Sequence, residues 1–441
     1  MGSPSPRRYI VWSGFAAALA LLPFLFGSDL ALSLASRMCI AIIFALSYNM
    51  LLGQGGMLSF GHAVYSGLGA YFTIHALNAL GGGSVHFPVT LLPLIGGFAG
   101  ALFGLLFGYV STKRSGTPFA MISLGIGELV AACVLMVPAF FGGEAGVSGN
   151  RVTGEGWAGT NYGPQAQVYY LIAAWTFLCV LAMFAITRTP LGRMANAVRE
   201  NPDRVPFIGY NTHLVRFYTL VLASFFAGVS GGLAAINFEI VTAETVGAQA
   251  SGIVLLMTFI GGIGQFFGPI IGAIVVTLLQ SVLSSITTAW RFYFGLLFLA
   301  MVMFAPGGIS SLIVLHAPLW GARRLFRLLM PSYLFAAAAG TLLLLGIIGV
   351  VEMGYHLSEA ASSPTMSIFR IVFDPHGWLP WVVSVLFIAV GVRLVHVAAG
   401  RVSKAWGLAS AELLRLRAAP AETATGKIEE HNMAVADVAR P

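Results

Sequence analysis

The chain has 441 residues, 58% of them hydrophobic and only 9% charged, with a formal net charge of +7. A soluble domain carries about 25% charged residues, and no soluble core hides this much apolar surface, so the composition excludes an ordinary soluble fold and indicates an integral membrane protein. The basic residues sit in short loops and at the tail rather than in one patch, which argues against a nucleic-acid partner.

The N-terminal "MGSPSPRRYIVWSGFAAALALLPFLFG" is basic and then apolar, like a signal peptide. A second apolar run follows at once with no small-x-small cleavage site before another domain, so it reads as a first membrane helix. A membrane helix needs about 20 mostly apolar residues. Runs of that kind are predicted at 9–27, 31–52, 58–80, 89–111, 118–140, 168–186, 216–238, 250–262, 266–284, 289–306, 332–352 and 380–398. The expected fold is all-α and polytopic, with about 12 membrane segments, some broken by glycine, and a charged cytoplasmic tail. The 250–284 region is compatible with either a tight turn between two spans or a broken helix. With the N-terminus inside, the positive-inside rule puts Lys113 and Arg114, the arginines at 188, 193, 199 and 204, those at 323–327, and the tail all on the cytoplasmic side. Residues 141–167 and 353–379 then face outward. Cys39, Cys133 and Cys179 lie in apolar runs and read as small hydrophobes, with no metal spacing.

Residues 48–72, "YNMLLGQGGMLSFGHAVYSGLGAYF", interrupt an apolar helix with Gly53, Gly55, Gly56, Gly61, Gly67 and Gly69. A weaker echo stands at 261–272, beginning with Gly261 and Gly262. Paired glycine-broken spans point to a transport site, although close helix packing also calls for glycine. The candidate translocation path from this reading comprises Gly56, Ser59, Gly61, His62, Ser123, Glu128, Gly261 and Gly262. Glu128 stands near the middle of its span, where a charge normally faces the bundle interior or water. Arg37 lies near the external end of the second span, close enough to the surface to snorkel.

In the internal loop 187–215 a short helix is expected from Arg193 to Glu200, stopped by Asn201-Pro202. Its mixed surface suits docking to a cytoplasmic partner, and a plain positive connector is the alternative. No phosphate loop, dinucleotide fingerprint, zincin motif or paired-cysteine metal site occurs, so no cofactor and no catalytic residue are expected. ATP, if it drives transport, binds to another polypeptide.

Several blocks resemble the LivM-type permeases of bacterial ABC importers for branched-chain amino acids. They are Asn49-x-x-x-Gly53-x-x-Gly56-x-x-Ser59-Phe60-Gly61 with the following Gly67-x-Gly69-Ala70-Tyr71, "SGTPFAMISLG" at 115–125, and "FGGEAGVSG" at 141–149. "PLGRMANAVRENPDRVPFIGYN" at 190–211, "FIGGIGQFFGPIIGA" at 259–273 and "FAPGGISSLI" at 304–313 complete the set. The resemblance covers about residues 1–315. It implies a permease core at 1–315, with 187–215 as the coupling loop and Leu191, Gly192, Arg193, Ala197, Arg199, Glu200 and Asn201 touching an ATPase. It also implies a second, LivH-type permease, two cytoplasmic ATPase subunits and an extracytoplasmic solute-binding protein. The small amino-acid substrate would cross the bacterial cytoplasmic (inner) membrane, among whose lipids the chain sits, and both termini would be cytoplasmic. Same-family permeases for urea or short amides, and an ion-coupled secondary transporter, are the alternatives. Pro118 stands where relatives commonly have an aromatic residue. The family supplies no template for 316–398, with its two extra helices, or for the partly disordered tail 399–441.

Overall fold

The computed structural model describes residues 6–83, 87–153, 161–305, 307–317, 323–358, 366–368 and 371–438. Lipid offers peptide groups no hydrogen-bond partners, so an apolar chain satisfies its backbone by coiling. Helices accordingly dominate. In chain order they are α1 (Pro6–Leu25), α2 (Asp29–Asn49), α3 (Ala63–Gly81), α4 (Leu92–Ser111), α5 (Thr117–Met136), α6 (Pro138–Phe141) and α7 (Gln165–Arg188). Then come α8 (Pro190–Glu200), α9 (Thr212–Phe238), α10 (Ala248–Gly261), α11 (Gly268–Ile286), α12 (Trp290–Phe304), α13 (Gly308–His316), α14 (Arg323–Ser358) and α15 (Trp378–Val438). Two small antiparallel pairs join them. β1 (Val147–Ser148) pairs with β2 (Ile240–Val241), and β3 (Met366–Ile368) with β4 (Ile371–Phe373).

Each of the twelve predicted spans coincides with one of these helices. By length and composition, eight helices among the described residues are able to cross a membrane, and the pair α12–α13, bent by 45°, makes nine. Helices α1, α3 and α10 account for the rest. The boundaries differ where the backbone has local reasons. The span expected at 118–140 stops at Met136, and Pro138, which has no N–H to donate, opens the separate short α6. The span expected from residue 58 begins as helix only at Ala63. Helix α10 has 14 residues, about 21 Å of rise, which falls short of a hydrocarbon core of about 30 Å.

The chain divides into two compact units, Met1–Ile313 and Val314–Pro441. In the second, α14 and α15 form an antiparallel hairpin, with Gly346 packed on Ser384 and Ile388, and Gly391 on Leu343. The charged tail continues α15 to Val438.

The first unit is built around close glycine contacts. Gly96, Gly100, Gly104 and Gly108 recur every fourth residue and form one face of α4, which lies against α9. A Cβ placed on Gly69 of α3 would stand 2.7 Å from the Cα of Gly228, and one on Gly100 2.9 Å from the same atom. Three backbones meet there with no side chain between them. Small residues provide this closeness where no hydrophobic effect drives helices together.

Candidate functional site

The first notable geometry is the break after α2. Met50–Gln54 form a single π-helical turn, which the N–H groups of Gly55, Gly56 and Met57 close onto the Met50, Leu52 and Leu51 carbonyls; residues 58–62 then run back into the bundle as irregular backbone, and α3 starts at Ala63. Backbone groups in an apolar interior must find partners, and here side chains supply them. The Tyr48 hydroxyl donates to the Ser59 carbonyl (2.9 Å), and the Phe60 N–H donates to the Ser123 hydroxyl oxygen (3.0 Å). The Ala63 N–H donates to the Ser251 hydroxyl oxygen (3.1 Å). His62 is fully buried, with Nε2 3.0 Å from the Ser47 hydroxyl, and its ring stacks on Phe44 (5.7 Å between centroids). Gly61 slides past the Ser123 carbonyl so closely that any Cβ would collide.

Helix α10 also starts inside the bundle. From the end of α9 the chain descends through 239–247, Gly67 of α3 lies against Thr245 and Val246, and α10 begins beside Ala63. It ends at the level of the π turn, where the Ile263 carbonyl approaches Gly53 and Phe267 packs near Trp12 and Phe184. The chain turns at 262–267, and α11 returns antiparallel to α10 with Gly268 and Gly272 against Gly261. The 250–284 region is thus a tight turn between two helices. Two helix N-termini, those of α3 and α10, lie side by side within the bundle.

Above this junction, on the side away from α8, lies a cavity of about 500 Å³. Its walls come from five helices: α2 (Arg37, Phe44), α3 (Ser66), α9 (Ser230, Phe238), α10 (Met257) and α11 (Thr277, Gln280). The Arg37 guanidinium stands 5.1 Å from the centroid of the Phe238 ring. None of the eight path residues named from sequence is among the lining residues. Ser59, Gly61, His62 and Ser123 form the hydrogen-bonded framework beneath it. Gly56 lies at the α8 contact, Gly261 is in the α10–α11 packing, and Gly262 (φ 109°) packs on Gly307 and Ser310. Glu128 is exposed on α5, near Gly125, where an added Cβ would meet no other part of the described residues within 4 Å. The cavity's polar lining was overlooked in the sequence although a signal existed. Thr277, Gln280, Ser281 and Ser284 repeat at helical spacing and mark one polar stripe on α11.

At the end of the bundle where α2 closes lies α8. Thr189 caps it, its hydroxyl accepting from the Gly192 N–H, with Pro190 in the first turn where no N–H is needed. Asn201 ends it and accepts from the N–H groups of Asp203 and Arg204. Ala195 and Val198 are buried against Val205 and Val215, with Leu191, Met194 and Ala197 partly covered. Gly192 is buried against the Ile186 carbonyl and Thr187. Arg193, Glu200 and Asn201 face outward. Arg199 does two things: its guanidinium donates to the Gly53 carbonyl, and its Cγ packs on Gly56, which takes φ +65°, a conformation that favours glycine. The helix is therefore bonded to the π turn that starts the break. Beside it, Phe207 and Ile208 are 88% and 59% exposed. They were not singled out in the sequence, although apolar residues within a charged loop have no core to enter.

At the opposite end Arg151 fastens the 141–167 loop. Its N–H donates to the Glu239 carboxylate (2.9 Å), and its guanidinium donates to the Tyr162 carbonyl (2.9 Å) and to the Asn237 carbonyl (3.1 Å) in the last turn of α9. The bond to Asn237 satisfies a carbonyl that the end of α9 leaves unpaired. Arg151→Ala should free the loop and raise its cleavage rate by proteinase K at least tenfold. Unchanged cleavage would show that β1–β2 alone holds it.

Residues 30–306 match the family model for the branched-chain amino acid transport system / permease component. The high-affinity branched-chain amino acid transport system permease protein LivM of Salmonella typhimurium is 28% identical over 297 residues, covering 63% of this chain and 69% of the relative. The permease protein LivH of Escherichia coli K12 is 24% identical over 286 residues, covering 60% of this chain and 89% of the relative. A probable LivM from Methanocaldococcus jannaschii is 24% identical over 316 residues, covering 60% and 89%. No solved structure matches. With most of its length matched, from α2 through α12, this chain belongs to the branched-chain amino acid transport system / permease component family.

Proposed function

We propose that the chain is the permease subunit of an ATP-driven importer for branched-chain amino acids, forming half of the translocation path. One observation carries the reading: a continuous set of contacts runs from α8 to the cavity. Arg199 holds the π turn, the π turn leads into the 55–62 segment, His62 in that segment stacks under Phe44, and Phe44 lines the cavity. A push on α8 would thus reach the cavity floor. The membrane subunit does no bond chemistry; ATP closure of separate ATPases would favour one access state over another.

In this reading the α8 end faces the cytoplasm, as Arg188, Arg193, Arg199 and Arg204 near it suggest. Leu191, Gly192, Arg193, Ala197, Arg199, Glu200 and Asn201 form the coupling segment, and exposed Phe207 and Ile208 extend its contact surface. The cavity opens to the other side, where a solute-binding protein would deliver the amino acid onto the loops fastened by Arg151. The exposed stripe of α5 with Glu128 and Gly125 is the seat of a second, LivH-type permease, since a carboxylate at that depth is costly against lipid. Residues 1–315 form the transport core; 316–398 add a helix pair, and 399–441 the tail.

The test is purification of the tagged full chain from its native membrane in mild detergent. Recovery of a second permease and an ATPase pair is expected. A chain recovered alone that still transports after ATPase loss would favour ion-coupled transport.

A further inference from the structure

We propose that the outward face of α15 holds an anionic phospholipid, its phosphate taken by Arg393 and Lys404 and its acyl chains laid along the apolar residues that precede them. The assignment does not depend on which solute the chain carries.

The packing of the hairpin sets the geometry. Gly391 packs on Leu343 of α14, Ala409 clusters with Leu329, and Ala398 between them is also buried. At 3.6 residues per turn, Val382, Leu386, Arg393, Val397 and Lys404 share the opposite face of α15, and all five are exposed. That face is an apolar strip ending in two cations, the order in which a phospholipid presents its chains and its headgroup. Beside it the Arg401 guanidinium lies over the Phe335 ring, 4.5 Å from the centroid.

Depth separates the two cations. Tryptophan favours membrane boundaries, and Trp378, exposed at the start of α15, and Trp381, whose indole N–H donates to the Pro375 carbonyl (2.9 Å), mark one of them. From Trp378, Arg393 lies about 22 Å along the helix and Lys404 about 39 Å, at 1.5 Å per residue. A hydrocarbon core is about 30 Å thick. Arg393 therefore starts inside the apolar layer and Lys404 outside it, and both long side chains reach the phosphate layer between them.

The hairpin does not neutralise these charges itself. No Asp or Glu occurs in 323–351 or 379–411, the stretches that face each other at this level. Positive-inside sorting explains Arg401 and Lys404 in the tail, but not Arg393 within the apolar run, where a cation is costly without a counter-charge. An anionic headgroup supplies that charge, and basic clusters beside a membrane helix attract such lipids. An acidic protein in the aqueous phase would meet Lys404 but not Arg393.

The experiment incubates the purified full chain in mild detergent with equal amounts of phosphatidylglycerol and phosphatidylcholine, and counts bound lipid by native mass spectrometry. Phosphatidylglycerol should be retained roughly tenfold over phosphatidylcholine. Arg393→Leu combined with Lys404→Ala should abolish the preference. Lys404→Ala alone should lower it about fivefold, the factor one basic side chain near a membrane contributes; its site is exposed, so it tests the assignment even if Arg393→Leu does not fold. Lys113→Ala, in a separate basic loop, should leave the preference intact. Equal retention of the two lipids, a preference that survives the double change, or the same loss in Lys113→Ala would overturn the site. Displacement of phosphatidylglycerol by an equal concentration of inorganic phosphate would also overturn it, assigning the cations to a free anion.

Discussion

Arg199→Ala should uncouple the transporter: solute uptake falls at least tenfold while the chain still folds and ATP hydrolysis by the assembly continues. Arg199 is a surface residue with 37% of its side chain exposed, and its 3.8 Å pair with Glu200, which is 74% exposed, contributes little stability. The apolar face of α8 that holds the helix in place, built on Ala195, Val198, Val205 and Val215, is untouched by the change. What disappears is the bond to the Gly53 carbonyl and the packing on Gly56, the direct link between α8 and the broken segment. A charge-assisted hydrogen bond is worth about 1.5–3 kcal/mol, enough to alter a two-state balance more than tenfold. The check is uptake and ATP hydrolysis on one preparation. Parallel loss of both would mean that Arg199 serves assembly rather than coupling. Glu200→Ala, which leaves the link intact, should affect ATPase docking alone.

Gly228→Leu is expected to have the largest structural effect of any single change in the first unit. The side chain would need space already taken by the Gly96 carbonyl and by Gly100, which are backbone and cannot rotate away. Overpacking a core costs about 1–3 kcal/mol when side chains can shift, and here whole helices must separate. The α3–α4–α9 junction should open, and the detergent-purified chain should lose its single sharp size-exclusion peak and unfold at lower temperature. Gly14→Leu is the matched control, since a Cβ added at Gly14 would meet nothing within 4 Å beyond its own helix, and it should behave as wild type. Similar melting of Gly228→Leu and wild type would disprove the close approach.

The sequence conveyed the spans well because lipid imposes a simple rule on them. Apolar runs of sufficient length must coil, and each of the twelve became a helix. The end of α8 was legible too, since Asn201-Pro202 stops it where the structure does; its start is at Pro190, earlier than the expected Arg193, because Thr189 caps the helix and proline suits its first turn. The breaks were visible only as glycine. Glycine serves both close packing and irregular backbone, and composition does not separate the two uses. The Gly96–Gly108 stripe packs α4 on α9, whereas Gly61 lets a non-helical strand pass Ser123. His62 and Ser59 looked like path residues because they are polar within an apolar stretch. Their partners, Ser47 and Tyr48, show that they stitch the break together. The cavity lay furthest from the reach of sequence. Its lining residues on α2, α9 and α11 are far apart along the chain and face one space only when these helices assemble.

The central claim is ATP-coupled passage of a branched-chain amino acid through this chain. It is tested most directly by leucine uptake into proteoliposomes that hold the purified assembly, with the solute-binding protein outside and ATP enclosed on the α8 side. Uptake should require enclosed ATP and fail when Arg199 is replaced by alanine. Uptake that ignores ATP and follows an imposed ion gradient would contradict it.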